Sequence, residues 1–331
     1  MAPGLNYGQQ CYEGLKAFRG PDDKTINIFR PRKNAARLQH SASFISIPLV
    51  PIDHFLHCVR IAVAMNAEYV PPHATGAAMY IRPLLFGSSA QLGLNPPQEY
   101  TFCVYVLPTG VYHGTHPVDA VILEEFDRTA PHGTGSAKVG GNYAPVLRWS
   151  EKARDEGYGI TLHLDSKTRT EIDEFSTSGF IGVHKKEDGT ATLVVPNSAN
   201  IVDSVTSDSV CQIAQSFGWK VEKRRVRIFF LTPAKKNFRR CNANRRRSPS
   251  LKSQPLLKYW PLVLQLPSSP SAASPRNRLM RSLSIPSPTT NPALCARSCS
   301  NTSKVSNREL SKMNLGGWIP CIRRRAIISR F

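Results

Sequence analysis

The chain has 331 residues, enough for one large domain or two smaller ones, and carries 43 Lys+Arg against 23 Asp+Glu, a formal net charge of +20. Residues 1–226 hold 22 basic and 22 acidic side chains, whereas residues 227–331 hold 21 basic ones and one acid, Glu309. This distribution argues against a nucleic-acid binder with a charged folded surface, and the balanced front part reads as a soluble globular enzyme.

The N-terminus, Met1 to Tyr7, shows neither a signal h-region nor an arginine-rich amphipathic presequence. Tyr7 to Phe18 already reads like the middle of a domain. Residues 26–30 alternate as a strand, and Pro31 opens a helix with Ala35, Leu38 and Ala42 on one face and Arg37 beside them. A second helix is predicted over 53–69, with Asp53 near its start and Leu56, Val59 and Val63 at helical spacing. Strand-like runs follow at 79–86, 101–107 and 120–124, an order that predicts an α+β fold. A helix is predicted over 143–155, with Val146, Leu147, Trp149 and Ala153 apolar. Short strands are predicted at 160–164, 180–183 and 193–195. A last helix at 207–217 places Val210, Ile213, Ala214 and Phe217 on one face, with Gly218 as its cap.

The tail from residue 227 is rich in Ser, Pro and Arg, with Gly316 and Gly317 as its glycines, a composition poorly suited to building a core. The eight cysteines, Cys11, Cys58, Cys103, Cys211, Cys241, Cys295, Cys299 and Cys321, contain no CxxC pair and lie near no histidine cluster. Neither a disulfide framework nor a metal site is expected. No apolar run approaches the roughly 20 residues of a membrane helix.

The chemistry concentrates in the loop Gly133 to Pro145. Lys138 sits there between small residues and glycines, a setting in which a lysine can act as an imine-forming nucleophile. A solvated lysine on a glycine-rich surface loop is the alternative, and the Walker phosphate-loop spacing is absent. Glu174 lies on a strand edge and could pair with a pyridinium nitrogen. Arg37 could clamp a phosphate, as could the helix start at Val205-Thr206. Singly, these are also a surface acid, a helix-surface charge and a helix cap. Together they are the parts that pyridoxal 5'-phosphate needs: an imine lysine, an acid for the ring nitrogen and a phosphate cup.

Six stretches in order carry a resemblance over roughly residues 5–226. They are Tyr7-Gly8…Tyr12-Glu13-Gly14-Leu15-Lys16-Ala17-Phe18, Phe29-Arg30-Pro31…Arg37-Leu38, Tyr80-Ile81-Arg82-Pro83, Ala137-Lys138-Val139-Gly140-Gly141-Asn142-Tyr143, Glu174…Thr177 and Val205-Thr206-Ser207-Asp208. The chain resembles the branched-chain amino-acid aminotransferases of the fold-type IV pyridoxal-phosphate enzymes. The resemblance implies a small α/β domain (1–110), the first part of a larger β-barrel-like cofactor domain (111–226) that is incomplete, and a homodimer. It implies that Lys138 holds the cofactor and shuttles the proton, that Glu174 keeps the pyridine nitrogen protonated, and that Tyr143 bonds the ring oxygen. Arg37, Thr177, Val205 and Thr206 match cofactor-binding positions. Tyr7, Tyr12, Tyr80, Arg82 and Tyr112 match the substrate pocket, whose apolar aromatic walls would favour Val, Leu and Ile while Arg82 takes the distal carboxylate of glutamate. Two departures are Gly179, where the family usually has Asn, and Tyr12, where Phe is more usual.

The family also implies a Gly-Thr-Ala-Ala turn that binds the substrate carboxylate, and the tail contains none. One permitted back-translation of residues 257–274, read two bases later, gives EVLAAGTAAAFVPIRSI, which contains it. The same offset turns residues 291–319 into a permitted EPGPVCKKLFKYLKGIQQGIEQDEFGWL, which is similar to the family's C-terminal helix. The tail is therefore expected to be disordered or out of register from about residue 227, and this product to have weak or no turnover. The expected reaction is transfer of the amino group of Leu, Ile or Val to 2-oxoglutarate through a Schiff base on Lys138, in the cytoplasm or mitochondrion. Two alternatives are a homologue serving secondary-metabolite or toxin synthesis and, from another class, nucleic-acid binding through the basic tail. The expected partners are an amino acid and a 2-oxo acid, with no membrane and no nucleic acid.

Overall fold

The computed structural model describes residues 1–110 and 118–228, and beyond them the backbone of four short strands. The chain divides into two compact units. Among the described residues the first comprises 1–110, 137–141 and the strands at 303–305 and 326–330, and the second 118–136, 142–228 and the strands at 257–259 and 264–265.

The first unit runs α1 (Pro3–Asn6), β1 (Gln10–Tyr12), β2 (Leu15–Arg19), β3 (Ile26–Ile28), α2 (Pro31–Phe44), α3 (Ile52–Ala64), β4 (Ala78–Gly87) and β5 (Tyr100–Thr109). Its antiparallel sheet is built about β4, which pairs along its length with β5. On its other edge β1 pairs with Leu84 to Phe86 and β2 with Met79 to Ile81, so the chain breaks at Glu13-Gly14 between two strands on one edge. Buried Met79, Ile81 and Leu85 alternate along β4, giving the sheet one face against the core. That face is covered by α2, through Ala35, Leu38 and Ala42, and by α3, through Phe55, Leu56, Val59, Ala62 and Val63. Each large side chain so buried contributes about 1.5–3 kcal/mol relative to exposure.

Strand β3 ends at Ile28, two residues before the expected end. Arg30 there takes a left-handed conformation (φ 45°) and turns the chain into α2, whose first turn accepts Pro31 because no amide donor is needed there. Helix α3 stops at Ala64 rather than 69. The Asn66 side chain donates to the Ala62 carbonyl and the chain tightens into a 3-10 turn at Ala67–Tyr69.

The second unit runs β6 (Val118–Ile122), α4 (Leu147–Asp155), β7 (Ile160–Leu164), β8 (Ile172–Phe175), β9 (Gly182–Lys185), β10 (Ala191–Pro196), α5 (Val205–Ser216) and β11 (Lys220–Arg224). Strands β6 and β7 pair in parallel, as do β10 and β11, and each of these pairs is joined by the helical crossover that such pairing requires, through α4 and α5. Strand β8 adds antiparallel to β7, and β9 antiparallel to β10. Ala120, Ile122, Leu162, Phe175 and Phe180 form one core cluster, and Ile181, Val183, Leu193 and Ala214 another.

The helix expected over 143–155 begins at Leu147, after 3-10 turns at Gly140–Asn142 and Ala144–Val146. Its residue Leu147, expected on the apolar face, is 67% exposed. Phe217 is likewise 58% exposed, whereas Ala214 is buried and Val210 packs against its cluster as expected, with Ser207 and Cys211 turned inward beside them. The sequence reading also did not anticipate β11, a charged strand along one side of β10.

From the tail, β12 (Leu257–Tyr259) pairs with β6, β13 (Leu264–Gln265) with β9, β14 (Ser303–Val305) with β3 and β15 (Ala326–Arg330) with β5. The tail residues from 229 on that lie outside these strands fall outside the described residues, as do Tyr112 and the four cysteines from Cys241 onward. Among the described residues no helix is long and apolar enough to cross a membrane, and no three His, Cys, Asp or Glu gather as a metal site.

Candidate active site

In the first unit, Lys138 is held by its backbone. Its N–H donates to Ser41 Oγ on α2 (2.8 Å), and its carbonyl accepts from the Tyr12 N–H (3.1 Å). The neighbours Ala137 and Val139 are buried in the core, and Val139 bridges to Cys11. A Cβ at Gly140 would meet the end of the Gln10 side chain, which would have to shift. The side chain emerges half-buried, with Nζ 4.7 Å from the centre of the Tyr12 ring. The Arg82 guanidinium lies 4.8 Å from the same ring and 5.2 Å from that of Tyr80, and its Nη2 donates to the Tyr80 hydroxyl (2.9 Å). Tyr12, Tyr80, Arg82 and Lys138 thus come together from three separate stretches. Tyr7 is about half exposed, and its hydroxyl donates to the Leu92 carbonyl.

Arg37 lies one helical turn before Ser41 on α2, so the two share a face. Its Nε and Nη2 each donate to a different oxygen of Glu13, at 2.7 Å. Glu13 is fully buried at the break between β1 and β2, and it also accepts from Asn34 Nδ2 (2.8 Å). An arginine expected at a phosphate therefore spends two of its nitrogens on a carboxylate. Burial, reinforced by the Glu13 charge, pushes the Cys11 thiol up to about 12, so this cysteine is no nucleophile.

In the second unit, Glu174 sits on β8, the last strand in the order β12-β6-β7-β8. It is buried, and Arg128 Nη1 donates to its Oε1 at 2.5 Å. The same guanidinium lies 5.4 Å from the centre of the Tyr143 ring. The Val202 N–H, just ahead of α5, approaches the same Glu174 oxygen (3.4 Å). Helix α5 starts at Val205, two residues before the expected start, and is capped by Ser204, whose side chain accepts from the Ser207 N–H (3.1 Å). Val205 and Thr206 are therefore its first two residues, with the outward-pointing amides that favour anions. The Ser207 hydroxyl in the same turn is buried without a hydrogen-bond partner, and Gly179 leaves room beside it, since a Cβ at 179 would come within 2.7 Å of that oxygen. Thr177 is exposed in the turn after β8.

Behind Glu174, His163 on β7 is buried, with Nδ1 lacking a partner. Burial and then the Arg128 charge hold its pKa at about 3. Asp173 is pushed up by burial and accepts from the Thr129 hydroxyl (3.4 Å). Glu13, Ser41, Arg128 and His163 were not singled out from the sequence. Glu13 had a signal, since it follows Tyr12 in a quoted motif, but no spacing rule pointed to the other three.

Comparison with known proteins places this arrangement. The family model for amino-transferase class IV matches residues 10–238. The chain is 62% identical over 227 residues to the aminotransferase poxL of Penicillium oxalicum, covering 69% of this chain and 62% of that protein. Its structure is similar to the branched-chain amino acid aminotransferase of Escherichia coli, with TM-score 0.57, 25% identity, and 68% and 71% of the two chains covered. It is also similar to the T.th. branched-chain amino acid aminotransferase with pyridoxamine 5'-phosphate, with TM-score 0.56, 25% identity, and 68% and 70% covered. The chain thus spans less than two thirds of the length of the curated relative. On the match over most of its length, the chain belongs to the class IV amino-transferase family, which works with pyridoxal 5'-phosphate.

Proposed function

We propose that this chain is a transaminase for amino acids with apolar, branched side chains, passing the amino group to a 2-oxo acid such as 2-oxoglutarate. The observation that carries this reading is the backbone-clamped Lys138 beside Tyr12 and Arg82. The residues present fit the cofactor. The first turn of α5 offers outward amides with the unpartnered, buried Ser207 hydroxyl, and Glu174 is a buried carboxylate suited to a ring nitrogen.

When bound, pyridoxal 5'-phosphate supplies an electron sink for the pair left at the amino acid's Cα. Lys138 would hold it, and its Nζ would carry the proton taken from Cα. Glu174 would face the ring nitrogen and Tyr143 the ring oxygen. Val205 and Thr206 would serve the phosphate and Thr177 would be a further cofactor contact, whereas Arg37, expected at the phosphate too, is already tied to Glu13 by two nitrogens. The rings of Tyr12 and Tyr80 would bear on the substrate side chain, and Arg82 would take a distal carboxylate. Tyr7 would be a further wall of the proposed pocket, and Tyr112, expected there as well, lies outside the described residues.

A second reading keeps this chemistry with a different amino acid, as in secondary-metabolite synthesis. It is favoured by the 62% identity to poxL against 25% to the branched-chain enzymes. The test is absorbance of the purified full chain titrated with pyridoxal 5'-phosphate, followed by turnover on a panel of amino acids. A band lost in Lys138→Ala supports the cofactor assignment, and a substrate ranking led by Leu, Ile and Val supports the first reading over the second. No Lys138-dependent band, with nucleic acid retained by the protein, would sink both.

A homodimer is part of the proposal, to be measured by light scattering, as is residence in the cytoplasm or mitochondrion, to be tested by fractionation. The out-of-register tail is also proposed. The family match stops at residue 238, and sequencing the messenger across the codons for residues 226–257 decides it. A messenger that encodes the tail as printed, with no slip, removes the idea.

A further inference from the structure

Arg128 belongs to none of the roles above, yet it touches two residues that have them. One of its nitrogens bonds Glu174 at 2.5 Å, its guanidinium carbon lies 5.4 Å from the Tyr143 ring centre, and its side chain is 2% exposed. A cation so buried is costly unless paired, and the pair here is with the acid assigned to the ring nitrogen. Arginine keeps its charge at any working pH, and its plane can both fork onto a carboxylate and stack on an aromatic face. Two other titratable groups, His163 and Asp173, feel the charge of the same guanidinium. His163 on β7 is held neutral by burial and by Arg128 itself, and Asp173 accepts a bond from Thr129.

We infer that Arg128 is a positioning residue that fixes Glu174 as an anion and orients the Tyr143 ring, so that both meet the cofactor ring already aligned. This rests on the reading that Glu174 and Tyr143 take that ring. Without Arg128 the buried carboxylate takes up a proton more readily, and the loss is greatest at acid pH.

The test titrates the full chain with pyridoxal 5'-phosphate by absorbance at about pH 6 and about pH 8.5, in wild type, Arg128→Met and Arg128→Lys. The expected result is binding at least about tenfold weaker in Arg128→Met at the acid pH, with the deficit shrinking at the higher one, and a pH dependence returned to wild type by Arg128→Lys. A deficit of one size at both pH values is the mark of a merely structural role and overturns the inference, as does no deficit. If Arg128→Met does not fold, the double variant Arg128→Met with Glu174→Gln carries no buried charge and replaces it. Binding equal to that of Glu174→Gln alone supports action through Glu174, and a further tenfold loss overturns it. A wild-type chain with no Lys138-dependent band overturns the underlying reading as well, so the two failures are distinguishable.

Discussion

Two buried arginine–glutamate pairs, one in each unit, are built differently. Arg37 and Glu13 make two parallel bonds of 2.7 Å, and Glu13 takes a further bond from Asn34, so this carboxylate is tied on both oxygens to its own unit. Arg128 and Glu174 meet through one nitrogen and one oxygen, with an aromatic ring against the guanidinium and the amide of Val202 nearby. The first geometry is that of a lock between α2 and the break in the sheet edge. The second sets one guanidinium against both an acid and an aromatic ring, the two groups to which the proposed function gives cofactor roles. An ion pair's meaning lies in what else its atoms touch, more than in its length.

The largest effect that could break this contrast is at the lock. Glu13→Ala leaves Arg37 buried beside no carboxylate and is expected to lower unfolding stability by about 3–5 kcal/mol, measured by denaturant titration. If stability holds within about 1 kcal/mol while cofactor affinity falls, the lock is a functional pair and the distinction fails.

Next comes acid sensitivity behind the second pair. His163 titrates at about 3 when folded against its ordinary 6.5, so between those values the unfolded chain binds the extra proton. Its contribution is fully present above pH 6.5 and is lost as pH falls towards 3, at up to about 1.4 kcal/mol per pH unit, or about 2 kcal/mol at pH 5. His163→Leu should flatten the stability–pH curve over that window, and an unchanged slope would show that the histidine is not held neutral.

Ser41→Ala removes the acceptor of the Lys138 N–H, at an expected cost of about 1–3 kcal/mol. It should also weaken cofactor binding, whereas a stability loss with unaltered affinity would mean that the backbone clamp does not position the lysine. The smallest effect expected is Ser204→Ala, about 1 kcal/mol from the lost cap of α5, with Ser204→Gly costing a few tenths. Thermal melts of the three proteins would show it, and equal losses for Ala and Gly would argue against a capping role.

Periodicity served where one side of an element met the core and the other met water. Leu38 and Ala42 on α2 and Leu56 and Val59 on α3 were legible in this way. It misled at Leu147 and Phe217, where an apolar stripe marks what a helix could bury and a neighbouring strand decides what it does bury. Strand β11 stayed hidden because a charged segment becomes a strand only when β10 offers it a partner.

Residue order alone determined the family, because Lys138, Glu174 and the Val205-Thr206 helix start stand in short local motifs whose chemistry is written in their neighbours. The partners that hold those residues were decided by tertiary structure. Arg37 meets Glu13 across 24 positions and Arg128 meets Glu174 across 46, and no local spacing foretells a bond that exists only once strands and helices have packed. Local chemistry is carried by sequence neighbours, and the electrostatics that hold it in place are carried by neighbours in space.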